Sequence, residues 1–79
     1  MNPEMTPEET AFQAVITADP TVWRTQLVLV WFAYTLGNWK ALIAAPTVNA
    51  KYYEVIYNAA KNEIYVDTYV KESNQVVQP

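Results

Sequence analysis

From Gln26 onward, runs of valine, isoleucine, tryptophan, tyrosine and threonine alternate with short polar or glycine-containing breaks, and this pattern restricts the fold more than any other feature. β-Branched and aromatic side chains fit a pleated surface, and breaks this short join neighbouring antiparallel strands. Strands are predicted at 26–34, 39–45, 51–57 and 63–70. Leu36-Gly37-Asn38, residues 46–50 and residues 58–62 connect them. Glu72-Ser73-Asn74 then reads as a turn, with Val76 and Val77 as a short final strand. The expected fold is α+β, one N-terminal helix followed by an antiparallel β-meander of about four strands. A helical hairpin over 22–45 is the alternative, since Asp19-Pro20 can also cap a second helix.

The helix has a clear start. Thr6 is placed to cap, Pro7 is pre-set for the first helical position, and Glu9 stands three residues on to complete a capping box. Ala11, Phe12, Val15 and Ile16 recur at helical spacing and form one apolar stripe, with Gln13 and Thr17 facing away. Asp19 and Pro20 end the helix near Ala18, because the residue before a proline is driven out of helical conformation. Residues 1–5 and 78–79 are expected to fray.

With 79 residues the chain makes one domain, and a domain of this size buries only about 60% of the surface its unfolded form exposes. No cysteine and no histidine are present, so neither a disulfide framework nor an ordinary structural zinc site can add stability. An efficient core or self-association must do so. An apolar fraction of 52% suits both and argues against disorder. Eight acidic residues against five scattered basic ones leave no stripe for phosphates, so no nucleic acid is expected as a partner. An acidic chain more naturally meets a basic protein surface.

Residues 1–10 carry three glutamates and two prolines rather than a basic start and an apolar run, so no secretory signal is read there. The apolar run 27–36 is far shorter than the ~20 residues a spanning helix needs, so no membrane association is expected. The expected location is the cytoplasm of a bacterial host.

The register of the second hairpin can be argued from burial. Placing Asn58 opposite Glu63 sets Val55 against Val66, Tyr57 against Ile64 and Tyr53 against Thr68 on one coherent core face. A slip of one residue would mix charges into it. The opposite face then carries Tyr52 against Tyr69, Ile56 against Tyr65 and Glu54 directly against Asp67. Like charges opposite one another cost up to ~1 kcal/mol unless screened. One reading is a solvated face on which Lys51 or Lys71 relieves the repulsion. Another is a docking site for an arginine or lysine of a partner, formed by Glu54, Asp67, Tyr52, Tyr65 and Tyr69. A third, a divalent cation, has too few protein ligands.

Strand 1 raises a question of assembly. Simple alternation points Val28, Val30 and Phe32 one way and Leu27, Leu29 and Trp31 the other, so both faces are apolar. A flat apolar edge strand invites pairing with another chain. A homo-oligomer, most simply a two-fold dimer, is therefore expected, with Leu27, Leu29, Trp31 and Trp39 at its interface. Alternatively, the helix and the C-terminal segment together cover the strand.

Much chemistry is missing. Common nucleophile and base pairs need histidine or cysteine, the one serine is Ser73 in a predicted turn, and the one glycine cannot build a phosphate loop or dinucleotide fingerprint. The chain reads as non-enzymatic, with no cofactor and no metal ligands, acting by binding a protein partner. A self-associating structural module is the second reading. A small-molecule or nucleic-acid binder that uses the aromatic residues is the third.

Asn38-Trp39-Lys40-Ala41-Leu42, the segment from Lys51 through Tyr52, Tyr53 and Glu54 to Asn58, and the segment from Lys61 to Tyr69 together form a pattern. Over 29–74 it resembles a family of small uncharacterised proteins encoded by phages and prophages of Gram-positive bacteria. Val48-Asn49-Ala50 stands where that family has a Pro-Asp-Gly type turn, and Ala59-Ala60 where a glycine-containing turn is common. The resemblance implies a protein made inside a bacterium, from a mobile element, and brings no functional residues with it.

Overall fold

A computed structural model describes residues 5–79. The expected fraying of 1–4 lies outside the described residues. Helix α1 (Pro7–Ala18) is followed by a single 3-10 turn at Arg24–Gln26 and by strands β1 (Val28–Thr35), β2 (Asn38–Ala45), β3 (Lys51–Asn58) and β4 (Glu63–Tyr69). The strands form one antiparallel sheet in the order β1-β2-β3-β4. This is the α+β meander the sequence predicts. The helical hairpin is excluded, because residues 28–45 are two paired strands.

The Thr6 hydroxyl accepts the Glu9 N–H at 3.1 Å and satisfies one of the donors a helix start leaves free. The other half of the capping box does not form. The Glu9 carboxylate turns instead to Arg24, at 3.3 Å, and the Arg24 guanidinium lies 3.5 Å over the centre of the Phe12 ring. That one cation fixes the 3-10 turn against the helix. Ala11, Phe12 and Val15 of the predicted stripe are buried against the sheet.

The side chains that face α1 come from odd positions of β2 and β3 and even positions of β4. Trp39, Ala41, Ile43, Ala45, Tyr53 and Val55 are all buried there, together with Val22 and Leu27 from the segment before β1. Phe32, Trp39 and Tyr57 stack in a row with centroids 5.7 Å apart. The Trp39 indole N–H is buried without a partner.

Strand β1 departs from simple alternation. Leu29 pairs with Ile43 but Trp31 pairs with Leu42, so Val30 is an extra residue, a β-bulge. The bulge reverses the parity of all that follows, and Leu27, Leu29 and Phe32 turn inward while Val28 and Trp31 turn outward. Leu27 and Trp39 are therefore core residues of a single chain, and Leu29 is half-buried. Of the four interface candidates only Trp31, 41% exposed, lies on the surface.

Two further differences concern the ends. The strand at Val76-Val77 does not form, and residues 70–79 are exposed and without regular structure. The β1–β2 connection has only Leu36 and Gly37 between the paired Thr35 and Asn38, with φ of 52° and 84°. Two positive φ values in a two-residue hairpin loop make a type I′ turn.

Candidate functional site: the uncovered face of the sheet

Helix α1 and the segment 19–27 lie on one face of the sheet. The register sets the side chains of the other face in rows. Val28, Ala44, Tyr52 and Tyr69 form one row, Trp31, Leu42, Glu54 and Asp67 the next, and Ala33, Lys40, Ile56 and Tyr65 the third. Among the described residues no helix or strand packs over these rows, although Ala44 itself is buried. Val28, Trp31, Tyr52, Tyr65 and Tyr69 are each between 39% and 52% exposed. Applied to aromatic side chains of roughly 150–250 Å², those fractions give an apolar patch on the order of 400 Å². Patches of that size on small proteins commonly mark an interaction site.

Glu54 and Asp67 stand directly opposite one another, in the register expected from burial. The relief of their repulsion comes from a different residue than expected. Lys40 of β2 reaches Glu54 at 3.7 Å, whereas Lys51 points to the helix side and binds Asp19. Lys71 makes no ion pair among the described residues. Asp67 is exposed on edge strand β4 and has no cation of its own among the described residues. Its neighbours on the same strand face are Tyr65 and Tyr69. Tyr65 donates its hydroxyl proton to Glu63, and that bond raises the Tyr65 pKa above the ordinary phenol value. At the hairpin-tip end, Ala33, Thr35, Asn38, Lys40 and Ile56 border a hollow of about 240 Å³.

A second polar cluster, on the helix side, was not visible in the sequence beyond its helix-breaking dipeptide. The Asp19 carboxylate accepts hydrogen bonds from the Thr21 hydroxyl at 2.5 Å, the Tyr53 hydroxyl at 2.7 Å and the Lys51 ammonium at 3.3 Å. A carboxylate at a helix C-terminus opposes the helix dipole. Here the Thr21 and Tyr53 donors and the Lys51 charge offset that, and they hold Asp19 well below the usual carboxylate range. Burial, together with the hydrogen bond to Asp19 and its charge, pushes Tyr53 up to about 12. Thr21, Tyr53 and Lys51 all bond the one carboxylate, so the cluster clamps the end of α1 to β3.

No three acidic side chains converge among the described residues, and no helix there is long and apolar enough to cross a membrane. Three of the five basic residues, Arg24, Lys40 and Lys51, are paired with carboxylates. Among the described residues, Lys61 and Lys71 are the two basic side chains without such a partner. A family model covers residues 6–79, nearly the whole chain. The chain belongs to DUF6275, a family of unknown function. No curated protein and no solved structure matches this DUF6275 chain. In it the meander therefore carries two surfaces of opposite character, a core-forming face under α1 and an open aromatic face around Glu54 and Asp67.

Proposed function

We propose that this protein is a non-catalytic binding module that docks another protein on its uncovered sheet face. A cationic side chain of the partner meets Asp67. The observation that carries this reading is the arrangement around that residue, an exposed carboxylate between two tyrosines on a face already apolar, with its neighbour Glu54 paired to Lys40 and no cation beside Asp67 itself among the described residues. A guanidinium satisfies both features at once, by pairing with the carboxylate and stacking on the rings.

Charge argues for a different partner over a second copy. Laying two identical faces together would bring two Glu54 and two Asp67 side chains into one interface with only two Lys40 to offset them, and uncompensated buried carboxylates cost several kcal/mol each. The intracellular bacterial setting implied by the resemblance to phage and prophage proteins belongs to the same reading. The test is affinity capture from cells that express the tagged chain, with Asp67→Lys and Trp31→Glu variants whose fold is checked by circular dichroism. A partner held by the parent chain and lost from both variants supports the proposal. The same partner retained equally by both variants contradicts it.

A further inference from the structure

Strand β4 is an edge strand, and among the described residues its outer backbone edge has no partner strand. The two edges of the sheet differ. At the β1 edge the bulge at Val30 interrupts regular pairing, a device that blunts strand addition. Strand β4 runs its full seven residues in unbroken register with β3 and has no such interruption. The two faces of β4 differ as well. Tyr65, Asp67 and Tyr69 alternate on the open face. On the other face Ile64 and Val66 line an apolar groove of about 540 Å³, whose far wall is helix α1 at Ala14, Thr17 and Ala18. Because edge strand β4 itself forms one wall of the groove and Ile64 is 37% exposed, the groove reaches the surface beside that edge.

An extended segment laid along that edge would donate and accept backbone hydrogen bonds with β4 and send alternate side chains to opposite sides. Those on one side enter the apolar groove. Those on the other arrive beside Asp67 and its flanking tyrosines. We infer that β4 is a strand-addition site for a partner segment that alternates apolar and basic residues, the apolar ones seated between α1 and β4 and an arginine on Asp67. This inference rests on the docking reading above and names its mode. The carboxylates of Glu63 and Asp67 also make the edge a poor template for an acidic segment and a good one for a basic segment. No stretch of this chain alternates basic and apolar residues, so the segment belongs to another protein.

The probe is a peptide of seven residues, the length of β4, alternating valine and arginine. It is compared with the same peptide carrying glutamate for arginine, and with two versions N-methylated on alternate residues, one for each edge of the peptide. Binding is followed by ¹⁵N and methyl NMR of the full chain. The expected result is shifts at both Val66 and Tyr69, slowed hydrogen exchange along β4, loss of at least tenfold in affinity for one N-methylated version only, and a similar loss with Asp67→Asn. Binding that both N-methylated versions preserve overturns strand addition but leaves docking on the face standing. Binding that survives Asp67→Asn and the glutamate exchange overturns the docking reading too. No binding of the arginine peptide at roughly 1 mM, the weakest range of specific recognition, overturns the inference.

Discussion

Leu36 is the residue whose conformation and identity disagree most. It occupies the first position of a type I′ turn with φ of 52°, a place that favours asparagine or glycine, and it is 93% exposed, so its side chain contributes no burial in return. Left-handed backbone costs an ordinary residue on the order of 1 kcal/mol. Leu36→Asn should therefore raise stability by about 1 kcal/mol in a urea titration, with an unchanged denaturant slope. Asp19 and Tyr53 make the opposite case, two polar groups well matched to one another. Tyr53→Phe removes a hydrogen bond to a charged group and should cost about 1–2 kcal/mol. The pH dependence follows from the directions of the two shifts. Asp19 is depressed in the folded chain, so its contribution is present above its unfolded value of 3.8 and is lost as pH falls toward the lower folded value. Tyr53 is raised, so its contribution is complete below pH 10.0 and is lost as pH climbs to about 12. Unfolding measured across pH should lose stability at both ends, and Asp19→Asn should flatten the acid limb.

Among the elements, helix α1 depends on its start, because only three of the four residues of its apolar stripe, Ala11, Phe12 and Val15, are buried and a helix this short is marginal alone. Thr6→Ala should cost about 1 kcal/mol through loss of the bond to the Glu9 amide, measurable as a lower thermal midpoint. The sheet shows which parts of the fold a sequence can and cannot disclose. The β3–β4 register was legible residue by residue, because Glu54, Glu63 and Asp67 are charges that tolerate one face only, and a single register keeps all three out of the core. The course of β1 was not. Val-Leu-Val-Trp-Phe contains no polar residue to mark a face, so nothing in it signals that Val30 is an extra residue, and the bulge moved Trp31 and Phe32 to opposite sides from those alternation assigns. Lys40 was missed as the partner of Glu54 for a related reason. Its place beside Glu54 depends on the β2–β3 pairing, which no charge pattern within those two strands fixes.

For the molecule as a whole, the decisive fact is one helix over a four-stranded sheet. The helix and the segment that follows it cover one face, with a groove between α1 and β4, and they leave the aromatic face open. Tyr52, Tyr65 and Tyr69 of that open face were nameable beforehand and Trp31 was not, and the groove was not either, since Ile64 and Val66 belong to the core face by alternation and only the placement of α1 beside them makes the groove. Among the described residues, the exposed segment 71–79 makes no hydrogen bond and no ion pair. Its deletion should leave the thermal midpoint unchanged within about 1 °C, checked by calorimetry. The central claim is that the uncovered face, together with the β4 edge that borders it, receives a protein partner. Photo-crosslinking tests it most directly, with p-benzoylphenylalanine placed at Tyr65 on that face or at Thr47 in the exposed β2–β3 loop of chains expressed in bacterial cells. A discrete crosslinked product from Tyr65, absent from Thr47 and abolished by Asp67→Lys, is the predicted result. Equal crosslinking from both positions, or a product indifferent to Asp67→Lys, would contradict it.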